Sequence, residues 1–351
     1  MNDLLQPSDL LLASAPPAVT VAEAETIARV HFDIDAVAQR LSSERDTNFQ
    51  LLTRDGLAFV LKFANAAEPA AHINFQTEAL LHIERTDPTL PVPRVFRNTA
   101  GLEETPLLLS DGRPCVARVL TWLDGVQMYR LPIPAALRRD TGRTLARLGR
   151  ALADFDHPAS DRDLLWDIKT ATRLSSMTAA ITDPAMRGAV IAHLDRFDRE
   201  FAPVLPALRS QVVHNDLNHH NVVINPARPE MVGGVLDFGD MVKTPLIIDV
   251  AVGASYMTAL ADDAVQCVCD FVGAYHQVQP LTVQELAILP HLIVTRLVTT
   301  ITITSWRAAR YPENADYILR NNGPARQGMA RLAAIPADGL RRHLMTSCGL
   351  E

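Results

Sequence analysis

The sequence predicts an α+β protein of two lobes, and two observations carry that expectation. Apolar runs of strand length, punctuated by turn residues, fill roughly the first 120 residues. After Asp124-Gly125 the apolar positions recur at helical spacing instead. The expected division is a small antiparallel-sheet lobe over 1–123 and a larger helical lobe over 124–351.

The elements follow in order. The first twenty residues, rich in Leu, Ala and Pro, read as a loosely docked arm. Thr20-Val-Ala-Glu23 has the form of a capping box, so a helix is expected from there to about His31. Gln39–Leu52 and Leu57–Phe63 read as strands joined by a turn at Arg54-Asp55-Gly56. Phe75, Ala79, Leu80 and Ile83 then mark a helix over Ile73–Arg85. Leu90-Pro-Val-Pro-Arg94 is an extended connector. Strands at Pro106–Ser110 and Cys115–Trp122 flank an Asp111-Gly112 turn. Leu137, Leu145, Leu148, Leu152 and Phe155 lie on one face of a long helix.

Composition narrows the class. A chain 48% hydrophobic and 21% charged suits a globular enzyme. A net charge of −7 and no basic stripe argue against a nucleic-acid partner, and a cationic small molecule would suit that balance. Cys115, Cys267, Cys269 and Cys348 have no metal-ligand spacing and read as reduced thiols. No basic n-region opens the sequence. The apolar stretch Leu286–Thr304 is interrupted by Pro290, His291 and Arg296, which predicts a buried helix rather than a membrane span. The expected location is the cytoplasm.

The chemistry concentrates in two short segments. Val212–Asn225 has apolar flanks around a polar middle, as a loop between two strands does. Within it His214, Asp216 and Asn221 have the spacing His-x-Asp-x-x-x-x-Asn, and Asp237-Phe-Gly follows twenty-one residues after Asp216. Phosphoryl transfer needs a carboxylate to take the proton of an acceptor hydroxyl, and hard oxygen ligands to hold Mg²⁺ on the nucleotide phosphates. Asp216 would be the base, Asn221 and Asp237 the metal ligands, and His214 a brace. Gly239 is expected to permit the turn that exposes Asp237.

His214-Asn-Asp-Leu-Asn-His-His-Asn221 and Leu236-Asp-Phe-Gly-Asp240 resemble the two loops of the aminoglycoside phosphotransferase and choline kinase family. The resemblance runs from about Leu41 past residue 250 and implies a protein-kinase-like fold. It implies ATP or GTP as phosphoryl donor and Mg²⁺ as cofactor. It also assigns Lys62 to the nucleotide phosphates, with Glu78 holding its ammonium. Lysine usage supports this: there are three lysines against thirty arginines, so chance places one at that position only about 1% of the time. Asn215 stands where the family more often has glycine. Ser42-Ser-Glu-Arg-Asp-Thr-Asn-Phe49, Asn215–Asn218 and Asp237–Met241 are most similar to the hydroxylysine-kinase branch. That branch implies an amino alcohol or hydroxy amino acid as acceptor, with a pyridoxal-phosphate-dependent enzyme as functional partner. Aminoglycosides, choline, ethanolamine and homoserine stay open.

Weaker candidates complete the reading. Ser42, Ser43, Thr47 and Asn48 form a polar turn suited to capping phosphates, in place of a glycine-rich loop. Thr121 and Leu123 would offer backbone hydrogen bonds to a purine. Adjacent His219 and His220 point to opposite faces of an extended segment, which disfavours zinc. Asp240 either touches substrate or ends a turn, and Asp249 caps a helix and supports the catalytic loop. Asp262-Asp263 either begins a solvated helix or meets a cation. A protein serine/threonine kinase would need an Ala-Pro-Glu motif, which the sequence lacks. A pseudokinase scaffold would have no need of Lys62, Glu78, Asp216, Asn221 and Asp237 together.

Overall fold

The computed structural model describes residues 14–43, 45–260, 263–336 and 338–350. It forms two compact units, one reaching to Asp124 with His157–Ser160 added, the other holding the remainder. Met1–Ala13, most of the expected arm, lies outside the described residues, as do Glu44 of the polar turn and Asp262.

The first unit is built on an antiparallel sheet. Strands β1 (Ala36–Leu41), β2 (Thr47–Thr53) and β3 (Ala58–Phe63) run as a meander. Beyond them lies β6 (Pro114–Thr121), paired to β4 (Val95–Phe96) and β5 (Thr105–Leu108). Turns at Gly56 and Gly112 have φ of 87° and 80°, a region open to glycine. Side chains alternate across the pleat. Phe49, Leu51, Leu61, Phe63, Ala117 and Val119 therefore share one buried face with Ala24, Ala28 and Phe32 of helix α1 (Val21–Phe32).

Thr20 caps α1 by accepting the Glu23 N–H, but the box is only half closed. The Glu23 carboxylate instead accepts from the backbone and hydroxyl of Ser110, stapling the helix to the strand turn. On the other sheet face, Arg118 donates to Ile73, Gln76 and Thr77 of α2 (Ala70–Thr86). His157 joins this unit through Asn74 at 3.1 Å and by stacking on Phe75.

The second unit is mostly helical. Helix α3 (Ala135–Ala151) packs on α6 (Ala264–Val278), so closely at Gly142 that a Cβ would overlap the Phe271 carbonyl. Helices α4 (Pro184–Arg196), α5 (Leu246–Ser255), α8 (Asn322–Ala333) and α9 (Gly339–Ser347) surround the long α7 (Val283–Arg310). Helix α7 is apolar and long enough to cross a membrane, yet 78% of its most apolar window is buried. Thr295, Thr299, Thr300 and Thr304 return their hydroxyls to carbonyls one turn back, whereas the buried Thr302 hydroxyl has no partner.

Two small antiparallel sheets complete the unit. One holds β7 (Val126–Gln127), β9 (Val222–Ile224) and β10 (Val232–Val235), and the other pairs β8 (Ser210–Val213) with β11 (Val242–Pro245). The four cysteines are free thiols.

Candidate active site

The polar segment His214–Asn221 is the loop from β8 to β9, and Asp237 lies in the loop from β10 to β11. His214 is fully buried and ties the two loops together. Its Nδ1 accepts the Asp216 N–H at 3.2 Å, so Nε2 carries the proton and donates to the Leu236 carbonyl at 3.0 Å. The ring of Phe238 packs edge-on against it. Burial holds the imidazole below its ordinary pKa and keeps it neutral. The next residue, Asn215, sits at φ 63° with its N–H on Asp249 Oδ1 at 2.8 Å. Asp249 lies within the first turn of α5, not at its cap, which corrects the capping expectation. Burial pushes its carboxyl up to about 7.

Both oxygens of Asp216 are held. Oδ1 accepts from Arg296 at 3.0 Å, while Oδ2 accepts from Asn218 at 2.9 Å and Asn221 at 2.8 Å. Burial, then the charge of Asp240, pushes this carboxyl up to about 7, against the opposing pull of Arg296 and Asn218. Arg296 comes from the middle of α7 and is itself buried. Its remaining contacts are the Trp166 carbonyl at 2.9 Å, the Trp166 ring, and the Tyr256 phenol. An arginine inside so apolar a helix was the available signal for this residue, but its partner eighty positions away could not be read from sequence.

The second loop presents an exposed carboxylate. Asp237 has φ 61° and accepts the Gly239 N–H at 3.1 Å, so the left-handed residue of this turn is Asp237 itself. Arg162 pins the loop by donating to the Gly239 carbonyl. The Asn221 amide donates to both the carboxylate and the carbonyl of Asp216, leaving its Oδ1 as the atom open to a cation. Asn221 Oδ1 and the Asp237 carboxylate are hard oxygens, the donor type Mg²⁺ takes when phosphates and water supply the rest. Among the described residues no three His, Cys, Asp or Glu side chains form a metal cage.

In the first unit, Lys62 lies opposite Asn48 on β2 and Arg118 on β6. Its ammonium pairs with Asp46 at 3.7 Å, and no ion pair joins it to Glu78, which is half-buried on α2. The expected Lys62–Glu78 pair is thus corrected. The pleat explains why: Asp46 and Asn48 are two apart and share the face of Lys62, whereas Arg118 takes the contacts to α2. Thr47 falls on the opposite face, buried with Phe49, and its hydroxyl donates to the Pro17 carbonyl at 2.7 Å. It is not available to a phosphate. Ser42 is exposed and Ser43 half-buried. The Thr121 N–H is spent on the Arg94 carbonyl, whereas Leu123 makes no backbone hydrogen bond to another described residue.

The model of the phosphotransferase enzyme family matches residues 37–281. The chain belongs to that family. This phosphotransferase is 26% identical to the hydroxylysine kinase of Mus musculus, over 88% of its own length and 87% of the mouse protein. It is 29% identical to the homoserine kinase of Methylobacillus flagellatus, over 74% and 75% of the two chains. Among solved structures, a microcompartment-associated aminopropanol kinase shares the fold with a TM-score of 0.66. That likeness covers 95% of this chain and 99% of the other, at 17% identity. An amicoumacin kinase solved with AMP-PNP and Ca²⁺ aligns with a TM-score of 0.62 at 14% identity, over 81% and 87% of the two chains. The protein is therefore a small-molecule phosphotransferase that acts on a hydroxyl group, with the fold class its sequence predicts.

One further feature of this phosphotransferase escaped sequence reasoning. A cavity of about 530 Å³ adjoins the catalytic loop, lined by His219, His220, Tyr256 and Arg320 among others. His219 and His220 thus belong to a cavity wall.

Proposed function

We propose that the protein transfers the γ-phosphate of ATP or GTP to the hydroxyl of a hydroxy amino acid, with Mg²⁺ and with Asp216 as base. The observation that carries this reading is the Asp216 carboxylate, locked through both oxygens by Arg296, Asn218 and Asn221. A proton acceptor held in one orientation meets the hydroxyl without reorganising. A carboxyl pushed up to about 7 is also a far better base than an ordinary aspartate, because its proton affinity approaches the working pH.

In the proposed step, Asp216 takes the acceptor proton as the hydroxyl oxygen bonds to the γ-phosphorus, and the bond to the diphosphate leaving group breaks. Arg296 keeps Asp216 pointed at the acceptor and balances its negative charge before proton transfer. Asn221 and Asp237 would hold the Mg²⁺, whose charge offsets that of the phosphates. Lys62 supplies a second positive charge for the nucleotide. The choice of a hydroxy amino acid over an amino alcohol is supported by the hydroxylysine and homoserine kinases among the relatives.

Purified protein with ATP or GTP, Mg²⁺ and a panel of hydroxy amino acids should release nucleoside diphosphate faster with one acceptor than without. Asp216→Asn should abolish that turnover while nucleotide binding, followed by calorimetry, survives. Full activity in this variant would remove Asp216 from the role of base. Silence across the panel with intact nucleotide binding would favour a scaffold.

A further inference from the structure

We propose that the cavity beside the catalytic loop is the acceptor subsite, and that Arg320 within it selects acceptors bearing a carboxylate. This rests on the hydroxy-amino-acid reading above and names the residue that would enforce it. The position of the cavity is the first argument. Its wall includes Tyr256, which touches Arg296, and Arg296 in turn holds Asp216. It also includes His219, three residues beyond Asp216. A molecule seated there is joined to Asp216 through Tyr256 and Arg296.

The chemistry of the wall is the second argument. Among its described residues there is no aspartate, glutamate or lysine, so Arg320 is its one permanent charge. The Arg320 guanidinium rests over the Tyr317 ring at 3.9 Å, and no described carboxylate pairs with it. Arg320 lines the cavity together with His220. Guanidinium offers a planar fork that matches a carboxylate through two parallel hydrogen bonds.

A second polar side chain of the wall carries an unpaired atom. The His219 Nε2 is buried without a hydrogen-bond partner. A buried ring nitrogen without a partner is unfavourable unless a ligand group supplies one. The cavity wall therefore combines a cationic fork with an imidazole whose ring nitrogen lacks a partner. A purely cationic acceptor would meet Arg320 with like charge, despite the net charge of −7 on the whole chain. The local charge decides, because the distant ones are screened within about 10 Å.

The test uses matched acceptors that differ only by the carboxylate: 5-hydroxylysine against 1,5-diaminopentan-2-ol, and homoserine against 3-aminopropan-1-ol. The carboxylate member of at least one pair should have the higher kcat/KM by about tenfold to a hundredfold. Arg320→Ala should raise KM for that member and collapse the ratio towards one, and Arg320→Lys should restore part of it. Equal use of both members by the unmodified enzyme, or an equal loss for both in Arg320→Ala, overturns the proposal. Calorimetric binding of the same acceptors separates the two readings. Carboxylate binding that depends on Arg320 without turnover keeps the subsite and sinks phosphoryl transfer. Turnover indifferent to Arg320 keeps phosphoryl transfer and sinks the subsite. Neither binding nor turnover sinks both.

Discussion

Asp216 is partly buried near Asp240, and those two influences outweigh the Arg296 charge on its own oxygen. The proton on Asp216 is therefore held to about pH 7. A base works only when deprotonated, so kcat/KM should rise about tenfold per pH unit below that value and level off above it. A flat profile between pH 5 and 8 would show that its ionisation does not limit the reaction. The neighbouring Asn215 makes a different point. It occupies the left-handed region at φ 63°, and neither polar atom of its side chain finds a partner although both are buried. Asn215→Gly removes the backbone strain and the unsatisfied amide together, and should stabilise the fold by about 1 kcal/mol in chemical denaturation. Destabilisation instead would mean the amide has a partner when substrate is bound or in solution. The resemblance had marked this position as one that prefers glycine, and the φ value supplies the reason.

At the scale of elements, the crossing of α3 and α6 depends on Gly142, which lies against the Phe271 carbonyl. Backbone cannot yield as a flexible side chain does, so Gly142→Ala should cost about 1–3 kcal/mol despite alanine's better helix propensity. A denaturation midpoint equal to that of the unmodified protein would show that the helices can part at little cost. Most elements were legible because their periodicity is strong: α1, α2, β3, β5 and β6 lie close to the spans that alternation and helical spacing predict. The two candidate catalytic loops could be picked out for another reason, since the spacing proposed for them is dictated by chemistry rather than packing. The Lys62 partner was not. Choosing between Asp46 and Glu78 requires the strand register, and the face of Thr47 depends on the same register. Arg296 and Arg320 were equally hidden, because each acts through residues distant in sequence.

Across the second unit, buried and partly buried ionisable groups pull stability in opposite directions with pH. Asp216 and Asp249 are pushed up to about 7, so the stability they favour is complete below pH 4 and lost as pH rises through 7. His193 and His219 are lowered to about 4, so their contribution is present above the unfolded value near 6.5 and lost as pH falls through 4. Between those limits the two sets oppose one another. Asp249→Asn keeps an acceptor oxygen for Asn215 and removes one of the carboxyls. The variant should gain stability relative to the parent by about 1.4 kcal/mol per pH unit between pH 4 and 7, read from paired melting curves. Parallel curves would show that Asp249 is ionised throughout. The path of α7 has a separate consequence for anyone assembling hybrid enzymes. The family match ends at residue 281, yet the counter-charge of Asp216, the proposed base, arrives at Arg296, beyond that boundary. A chimera spliced at Leu281 to change its acceptor would inherit the base from one parent and its counter-charge from the other. On the proposed mechanism, the donor segment must carry an arginine in register with Asp216, or the graft will exchange substrate preference for loss of catalysis.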